Sequence, residues 1–174
     1  MTNERRLTPF DYEARIRQLE IDNYLLSISP VFGVLTRPAL ELLLRHTDLT
    51  DLWVCFCDID AMKAANSRYG KPMVNSFIRR AIKPRAHDII GEHKTPIVGQ
   101  WFSGDEFVGV FTASDALGYA QRVQLTLYEV GMSATFVLAP TNYLSTVFTT
   151  IAFCDNAVQA AKSLNHRALI IEVK

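Results

Sequence analysis

The stretch Ser103-Gly104-Asp105-Glu106-Phe107 constrains this chain most, because it lies between two short apolar runs, residues 96–102 and 108–111. Two apolar runs that flank a glycine and two acids predict a tight β-hairpin with carboxylates at its tip. The glycine gives the turn its backbone freedom, and the two acids cannot both lie in a core. An ordinary solvated turn is the alternative, since acidic residues and glycine are common in turns.

A second acidic segment, Asp58-Ile59-Asp60, follows the strongly apolar run of residues 52–57. Such a run predicts a buried strand that ends in carboxylates. Two strand ends that both carry carboxylates can converge on a hard cation such as Mg²⁺, which prefers oxygen ligands. The sequence therefore predicts a divalent-cation site between the hairpin tip and the end of this strand.

Four segments together resemble one known family, the GGDEF domains of diguanylate cyclases. The hairpin is similar to the family's signature, with serine in place of the first glycine, and residues 58–70 resemble its segment D-x-D-x-F-K-x-x-N-D-x-x-G. Residues 29–37 resemble its entry turn D-x-L-T-G-L-x-N-R, and residues 155–162 resemble its late helix A-D-x-A-L-Y-x-A-K. The blocks occur in the family's order, so the resemblance predicts the fold over about residues 29–173.

Composition indicates a single domain with no bulk attraction to polyanions. The chain has 174 residues, with 18 basic and 18 acidic side chains, which favours neither a nucleic acid polymer nor an anionic membrane as a partner. No apolar run approaches the roughly 18 residues that a membrane span needs. Cys55, Cys57 and Cys154 form no C-x-x-C pair and are typical of buried thiols in a reducing compartment. We therefore expect a cytoplasmic protein.

Two regions are predicted, an N-terminal helix within residues 1–28 and a catalytic domain over residues 29–174. In residues 10–27 a short heptad seam indicates the helix, and it is formed by Tyr12, Ile16, Leu19, Asn23 and Leu26. The seam can pair two chains into a homodimer, or it can pack on its own domain. Fewer than three heptads do not decide between these alternatives.

The remaining pattern alternates helices with strands, which indicates an α/β or α+β sandwich. We predict strands at residues 52–59, 133–139 and 168–173, in addition to the hairpin of residues 96–111. The predicted helices span residues 39–46, 72–86, 114–130 and 145–165. The first is expected to bury Leu40, Leu43 and Leu44, and the second Met73, Phe77, Ile78 and Ile82. The resemblance implies a palm-like, ferredoxin-like β-α-β-β-α-β core, with a mostly antiparallel sheet flanked by helices.

The resemblance also implies a catalytic metal centre. Asp58 and Asp105 match the family's metal-binding carboxylates, and Ile59 contributes its backbone carbonyl. Glu106 matches the acid beside the attacking hydroxyl. Joining a 3′-hydroxyl to the α-phosphate of a second nucleotide is usually assisted by two cations, so Mg²⁺ or Mn²⁺ is the expected cofactor.

Further positions match the family's substrate contacts. Lys63 matches a lysine that stabilises charge on the transferring phosphate, and Lys162 matches a phosphate-binding lysine. Asn66 matches the asparagine that contacts the nucleobase. Lys71 stands in place of a substrate-binding histidine, and His166 stands in place of a phosphate-binding arginine. Without the resemblance, each lysine would be interpreted as a solvated side chain.

Several positions depart from the family pattern. Asn75 replaces an aspartate that accepts hydrogen bonds from guanine, and Trp101 replaces an arginine just before the hairpin tip. Ser103 and Gly104 lie where the backbone approaches phosphate, and Ser103 adds a side chain there. The carboxylates and both Lys63 and Lys162 are retained. A decayed enzyme would have lost some of these groups, so the pattern favours activity.

The leading functional hypothesis is a cyclic-dinucleotide synthase that uses GTP, ATP or both and acts as a homodimer, because each active site holds one nucleotide. One alternative is a catalytically silent GGDEF-like module that binds a nucleotide or a protein. Another is a small palm cyclase, related to the polymerases of CRISPR signalling, that makes adenylate products.

Overall fold

The computed structural model describes residues 27–84, 97–102 and 104–173, together with the single positions 15, 18, 19 and 23. The described helices are α1 (Arg37–His46), α2 (Met62–Tyr69), α3 (Lys71–Ile82), α4 (Ala113–Tyr128) and α5 (Val147–Ser163). The described strands are β1 (Trp53–Ile59), β2 (Ile97–Gln100), β3 (Glu106–Phe111), β4 (Ala134–Pro140) and β5 (Ile170–Glu172). Most of the predicted N-terminal helix lies outside the described residues.

The five strands form one mixed sheet in the order β2-β3-β1-β4-β5. β1 lies at the centre and pairs antiparallel with both β3 and β4, while β2 pairs antiparallel with β3. β5 pairs parallel with β4. The predicted α+β palm-like fold with a mostly antiparallel sheet is confirmed. None of the described helices is long and apolar enough to cross a membrane.

β1 is central because its side chains are apolar on both faces. Cys55 and Cys57 pack into the core under α3 and α4, while Val54 and Phe56 pack into the core under α1 and α5. Alternate residues of a strand point to opposite faces, so a continuous apolar run requires cover on both sides. All three cysteines, including Cys154, are buried free thiols, as the sequence predicts.

Two buried positions are predicted wrongly. Leu43 is 39% exposed and Met73 is 51% exposed. In α1 the inward stripe is Leu40 and Leu44, four residues apart, and Leu43 lies beside it. In α3 the stripe begins at Val74, so that the preceding methionine faces outward.

The boundaries of other helices also differ from prediction. A separate helix, α2, lies between β1 and α3, where the sequence analysis predicts none. The helix predicted over residues 114–130 begins one residue earlier, at Ala113, and Thr112 caps it, with its hydroxyl accepting from the backbone N–H of Asp115. The predicted helices over residues 72–86 and 145–165 end at Ile82 and Ser163 within the described residues. Such shifts reflect local capping, which apolar periodicity does not report.

Gly99 provides a test of how closely α1 packs on the sheet. A Cβ atom at this position would lie 2.9 Å from both Cβ and Cδ2 of Leu40, which is too close to be accommodated without movement of α1. We expect Gly99→Ala to lower the free energy of unfolding by about 1–3 kcal/mol, as overpacking does in cores. Urea denaturation measures this change.

The matched control is Gly118→Ala in the exposed face of α4, where nothing lies within 4 Å of the added Cβ atom. Alanine is the better helix former, so this variant should gain about 0.5–1 kcal/mol. Equal effects of the two substitutions would contradict the packing argument.

Candidate active site

The two acidic segments lie side by side at one end of the sheet. Asp58 is the register partner of Glu106 in the antiparallel pair of β1 and β3. The N–H of Ile59 donates to the carbonyl oxygen of Asp105 at 2.9 Å. The antiparallel pairing therefore brings together the three predicted carboxylates, Asp58, Asp105 and Glu106.

The hairpin that carries two of these carboxylates is closed by backbone hydrogen bonds. The N–H of Trp101 donates to the carbonyl oxygen of Glu106 at 2.8 Å, and the N–H of Gly104 donates to that of Phe102 at 2.9 Å. Gly104 has φ of +83° and nothing within 4 Å of an added Cβ, so its positive φ, and not crowding, favours glycine. Ser103 lies outside the described residues.

Lys162 of α5 extends to the end of β1, where its positive charge neutralises the aspartate carboxylates. Its Nζ lies 2.6 Å from Oδ1 of Asp58 and 3.1 Å from Oδ1 of Asp60. It also donates to the carbonyl oxygen of Ile59 at 3.2 Å. These bonds anchor α5 to the strand end through a largely buried ammonium group.

Asp60 is a structural residue of this network. Its side chain is 1% exposed and accepts hydrogen bonds from the hydroxyls of Ser133, at 2.9 Å, and Thr135, at 3.0 Å. The N–H of Ala168 donates to it at 3.1 Å. With Lys162 included, four donors saturate this carboxylate. The sequence analysis placed Asp60 in an acidic strand end that could face a cation. In the structure its carboxylate is buried and fully hydrogen-bonded within the protein.

Sequence reasoning missed two polar residues beside the carboxylates. Nε2 of Gln159 donates to Oδ2 of Asp58 at 3.2 Å and to Oδ1 of Asp155 at 3.5 Å. The negative charge of Asp155 also acts on Glu106. A sequence signal existed, because Asp155, Gln159 and Lys162 follow the spacing i, i+4, i+7 and share one helix face.

The carboxylates have unequal environments. Burial is the main cause that raises the pKa of Glu106, to about 7, and the charges of Asp155 and Asp58 contribute. Burial likewise raises the pKa of Asp58, although the hydrogen bond from Lys162 opposes this, and it raises the pKa of Asp105. Oε2 of Glu106 is buried without a hydrogen-bond partner. A carboxyl group with a pKa near 7 can act as a general base at neutral pH.

The donor set fits a divalent cation that takes further oxygens from a ligand. Within the described part of the chain, no three acidic, histidine or cysteine side chains form a complete metal site. The candidate oxygen donors are the carboxylates of Asp58 and Asp105 and the carbonyl of Ile59, and Nζ of Lys162 already contacts Asp58 and this carbonyl. Burial disfavours the ionised forms of these carboxyl groups, and one oxygen of Glu106 has no hydrogen-bond partner, so a bound cation would stabilise their ionised forms.

A pocket of about 460 Å³ adjoins these carboxylates, between α2, α3 and the hairpin. Its lining comprises Val31, Phe32, Met62, Lys63, Asn66, Lys71, Asn75, Gln100, Gly104 and Asp105. The pocket thus collects most of the predicted substrate contacts. Oδ1 of Asn66 is buried there without a partner. His166 is not in its lining and is exposed just after α5.

No family model matches the sequence, and no similar curated protein was found. Solved structures do share the fold. The diguanylate cyclase SiaD from Pseudomonas aeruginosa, solved with its activator SiaC, aligns at a TM-score of 0.68 and 20% identity, over 93% of this chain and 68% of that one. A microbial GGDEF domain, studied for its interaction with bis-(3′,5′)-cyclic di-GMP, aligns at 0.69 and 19% identity, over 88% and 99%.

A third structure, the S helix-GGDEF-EAL part of LapD from Vibrio cholerae bound to c-di-GMP, aligns at a TM-score of 0.66 and 14% identity. The alignment covers 93% of this chain and 40% of that one. The chain therefore has the fold of a GGDEF domain, and its own acidic strand ends lie beside the pocket.

The raised pKa of Glu106 predicts a pH-dependent stability in the absence of divalent cations. The unfolded chain ionises this group near its ordinary value of 4.5, while the folded chain holds the proton to about pH 7. The folded state thus binds more protons between these values, and its stability falls as the pH rises through this window. Glu106→Gln removes this loss, so its melting temperature should rise relative to wild type from pH 5 to pH 8.

Thermal unfolding with EDTA, followed by circular dichroism, measures this difference. Glu129→Gln is the matched control, because the side chain of Glu129 is exposed, and it should not reproduce the trend. A Glu106→Gln difference that stays constant across this pH range would contradict the assignment.

Proposed function

We propose that the protein is a nucleotidyltransferase that condenses two nucleoside triphosphates into a cyclic dinucleotide and releases pyrophosphate. The observation that carries this proposal is the arrangement of Asp58, Asp105 and Glu106 at the paired ends of β1 and β3, beside the pocket of about 460 Å³. The GGDEF fold supports the same reaction class, because SiaD, which shares it, is a diguanylate cyclase.

In this proposal each polar group has one task. The carboxylates of Asp58 and Asp105 and the carbonyl of Ile59 would hold Mg²⁺ or Mn²⁺, which supplies positive charge for the phosphates when it is bound. Glu106, with its pKa near 7, accepts the proton of the attacking 3′-hydroxyl. The hydroxyl oxygen bonds to the α-phosphorus of the second nucleotide as the bond to pyrophosphate breaks.

The pocket supplies binding groups for base and phosphates. Lys63 and Lys71 provide positive charge for phosphate oxygens, while Phe32 and Met62 offer apolar surface to a base. The unpartnered Oδ1 of Asn66 is an acceptor for an N–H group of the base. Lys162 orients Asp58 and compensates its charge until the metal and phosphates bind.

The reaction implies a homodimer. Each pocket accommodates one nucleotide, and two 3′-to-phosphate bonds are needed to close the ring, so two copies must present their nucleotides to each other. The predicted heptad seam would add to this association, but it lies largely outside the described residues.

A second candidate is a catalytically silent module that binds a nucleotide or a protein. The contact between Nζ of Lys162 and Asp58 at 2.6 Å favours it, because an ammonium group already neutralises the carboxylate expected to bind metal. LapD binds c-di-GMP and SiaD binds a protein activator, so related folds also have binding roles.

Asp105→Asn discriminates between the two candidates. If the protein is a cyclase, loss of this carboxylate should lower turnover at least about a hundredfold, because charge stabilisation worth several kcal/mol is lost. Labelled GTP and ATP are incubated with Mg²⁺ or Mn²⁺, and the products are separated by chromatography. The melting temperature reports whether the variant folds.

Asp51→Asn is the charge-matched control, since Asp51 is exposed and precedes the opposite end of β1. It should retain wild-type turnover. Product formation by Asp105→Asn at the wild-type rate would refute the metal assignment. No product from the wild type with either triphosphate would favour the silent module.

Asn75 predicts relaxed base choice. Guanine presents the donors N1–H and N2–H₂, which an acceptor-only carboxylate complements, while an asparagine presents one acceptor and one donor. That pair matches the N6–H₂ donor and N1 acceptor of adenine. We expect the wild type to incorporate ATP in competition with equal GTP, and Asn75→Asp to shift incorporation towards GTP by roughly tenfold or more.

Asn142→Asp is the control, because it adds the same carboxylate at an exposed position after β4, at the opposite end of the sheet from the pocket. Product analysis by mass spectrometry measures the ratio of bases. Exclusive cyclic di-GMP from the wild type, unchanged in Asn75→Asp, would show that Asn75 does not select the base.

A further inference from the structure

A second pocket, of about 380 Å³, lies at the C-terminal end of α3, whereas Lys71 of the first pocket begins that helix. Its lining comprises Ser76, Arg79, Arg80, Lys83 and Pro84. Among the described lining residues, three side chains are cationic and none is acidic. We propose that this pocket binds a small phosphate-bearing anion, a role distinct from the proposed cyclase chemistry.

The cations of this pocket are not needed to stabilise the helix end. Basic residues near a helix C-terminus usually compensate the partial negative charge of its last carbonyls. Here the hydroxyl of Tyr119 donates to the carbonyl of Ile82 at 2.6 Å, and Nη1 of Arg122 donates to that of Ala81 at 2.8 Å. Two residues of α4 therefore serve this end of α3, and Arg122 supplies the positive charge.

The cationic side chains of this pocket also have few carboxylates nearby to neutralise them. Nη2 of Arg80 lies 3.8 Å from Oε2 of Glu129, with both side chains more than half exposed, and such surface pairs are weak. Within the described part of the chain, neither Arg79 nor Lys83 pairs with a carboxylate. Three positive charges in one concave site repel one another, and an anion relieves this repulsion.

One of the three cationic side chains, that of Arg79, lies close to the turn at Gly33. Gly33 has φ of +71°, and a Cβ atom added to it would lie 3.3 Å from Nε of Arg79. The absence of a side chain at Gly33 lets this guanidinium pack against the turn.

The donors select the ligand class. Arginine, lysine and a serine hydroxyl such as that of Ser76 offer N–H and O–H groups, which complement the oxygens of phosphate or diphosphate. A nucleic acid is disfavoured, because it requires an extended basic surface, whereas the whole chain has 18 basic and 18 acidic residues. A small anion with one or two phosphates fits the pocket's size.

The experiment uses inorganic pyrophosphate as the probe, with the full chain, EDTA and low salt. Isothermal titration measures the affinity, and amide chemical shifts locate the site. We expect shifts centred on Ser76, Arg79 and Lys83. The double variant Arg80→Gln with Lys83→Gln should weaken binding at least roughly tenfold, because two charge-assisted contacts are lost.

The control is the double variant Arg68→Gln with Arg167→Gln, which removes two exposed charges elsewhere and should retain wild-type affinity. No binding up to millimolar pyrophosphate would overturn the proposal. Binding that survives in the Arg80, Lys83 variant, or shifts centred on Asn66 and Lys71 instead, would also overturn it. If a single-stranded oligonucleotide binds much more tightly than pyrophosphate, and this binding is lost in the same variant, the ligand of the pocket is a nucleic acid and not a small anion.

Because these measurements are made without metal and without turnover, their failure would leave the cyclase proposal intact. Conversely, an inactive protein could still bind pyrophosphate in this pocket.

Discussion

The contact between Lys162 and the two aspartates at the end of β1 is the interaction on which the site depends. Burying charged groups costs on the order of several kcal/mol per ion, and only close pairing and full hydrogen bonding offset this. Asp60 meets that requirement, with donors from Ser133, Thr135 and Ala168 in addition to the lysine. The network joins α5, the start of β4 and the segment before β5 to the central strand, and so fixes the edge that carries the carboxylates.

The same network makes the carboxylates chemically unequal. Lys162 and Gln159 hold Asp58 by hydrogen bonds, whereas Glu106 faces several negative charges and has one oxygen without a partner. Asp58, held by an ammonium group, is suited to hold a cation, whereas Glu106, with its pKa raised to about 7, is suited to take up a proton. Lys162 favours the ionised form of Asp58, whereas burial is the main cause that raises the pKa of Glu106.

The hairpin is stabilised from its other side by an aromatic contact. The guanidinium of Arg37 lies 4.7 Å from the ring centre of Trp101 and 4.4 Å from that of Phe102, and its Nε pairs with Glu41 at 2.7 Å. Stacking of this kind is favourable when the cation is partly desolvated. Trp101, which replaces an arginine of the resembled family, thus has a packing role that joins the hairpin to α1.

The sequence alone determined the features that depend on local patterns: the apolar central strand, the hairpin with its glycine turn, and the acidic residues that end both strands. The local pattern places Asp58 and Asp60 on the same face of the strand, because residues two apart share a face, and only the family resemblance singled out Asp58. In the tertiary structure their surroundings differ. The chain leaves the strand at Ala61, whose φ is +53°, and the partners that enclose Asp60 lie 73 to 108 residues away. Contacts at such separations follow from packing, which a local pattern does not encode.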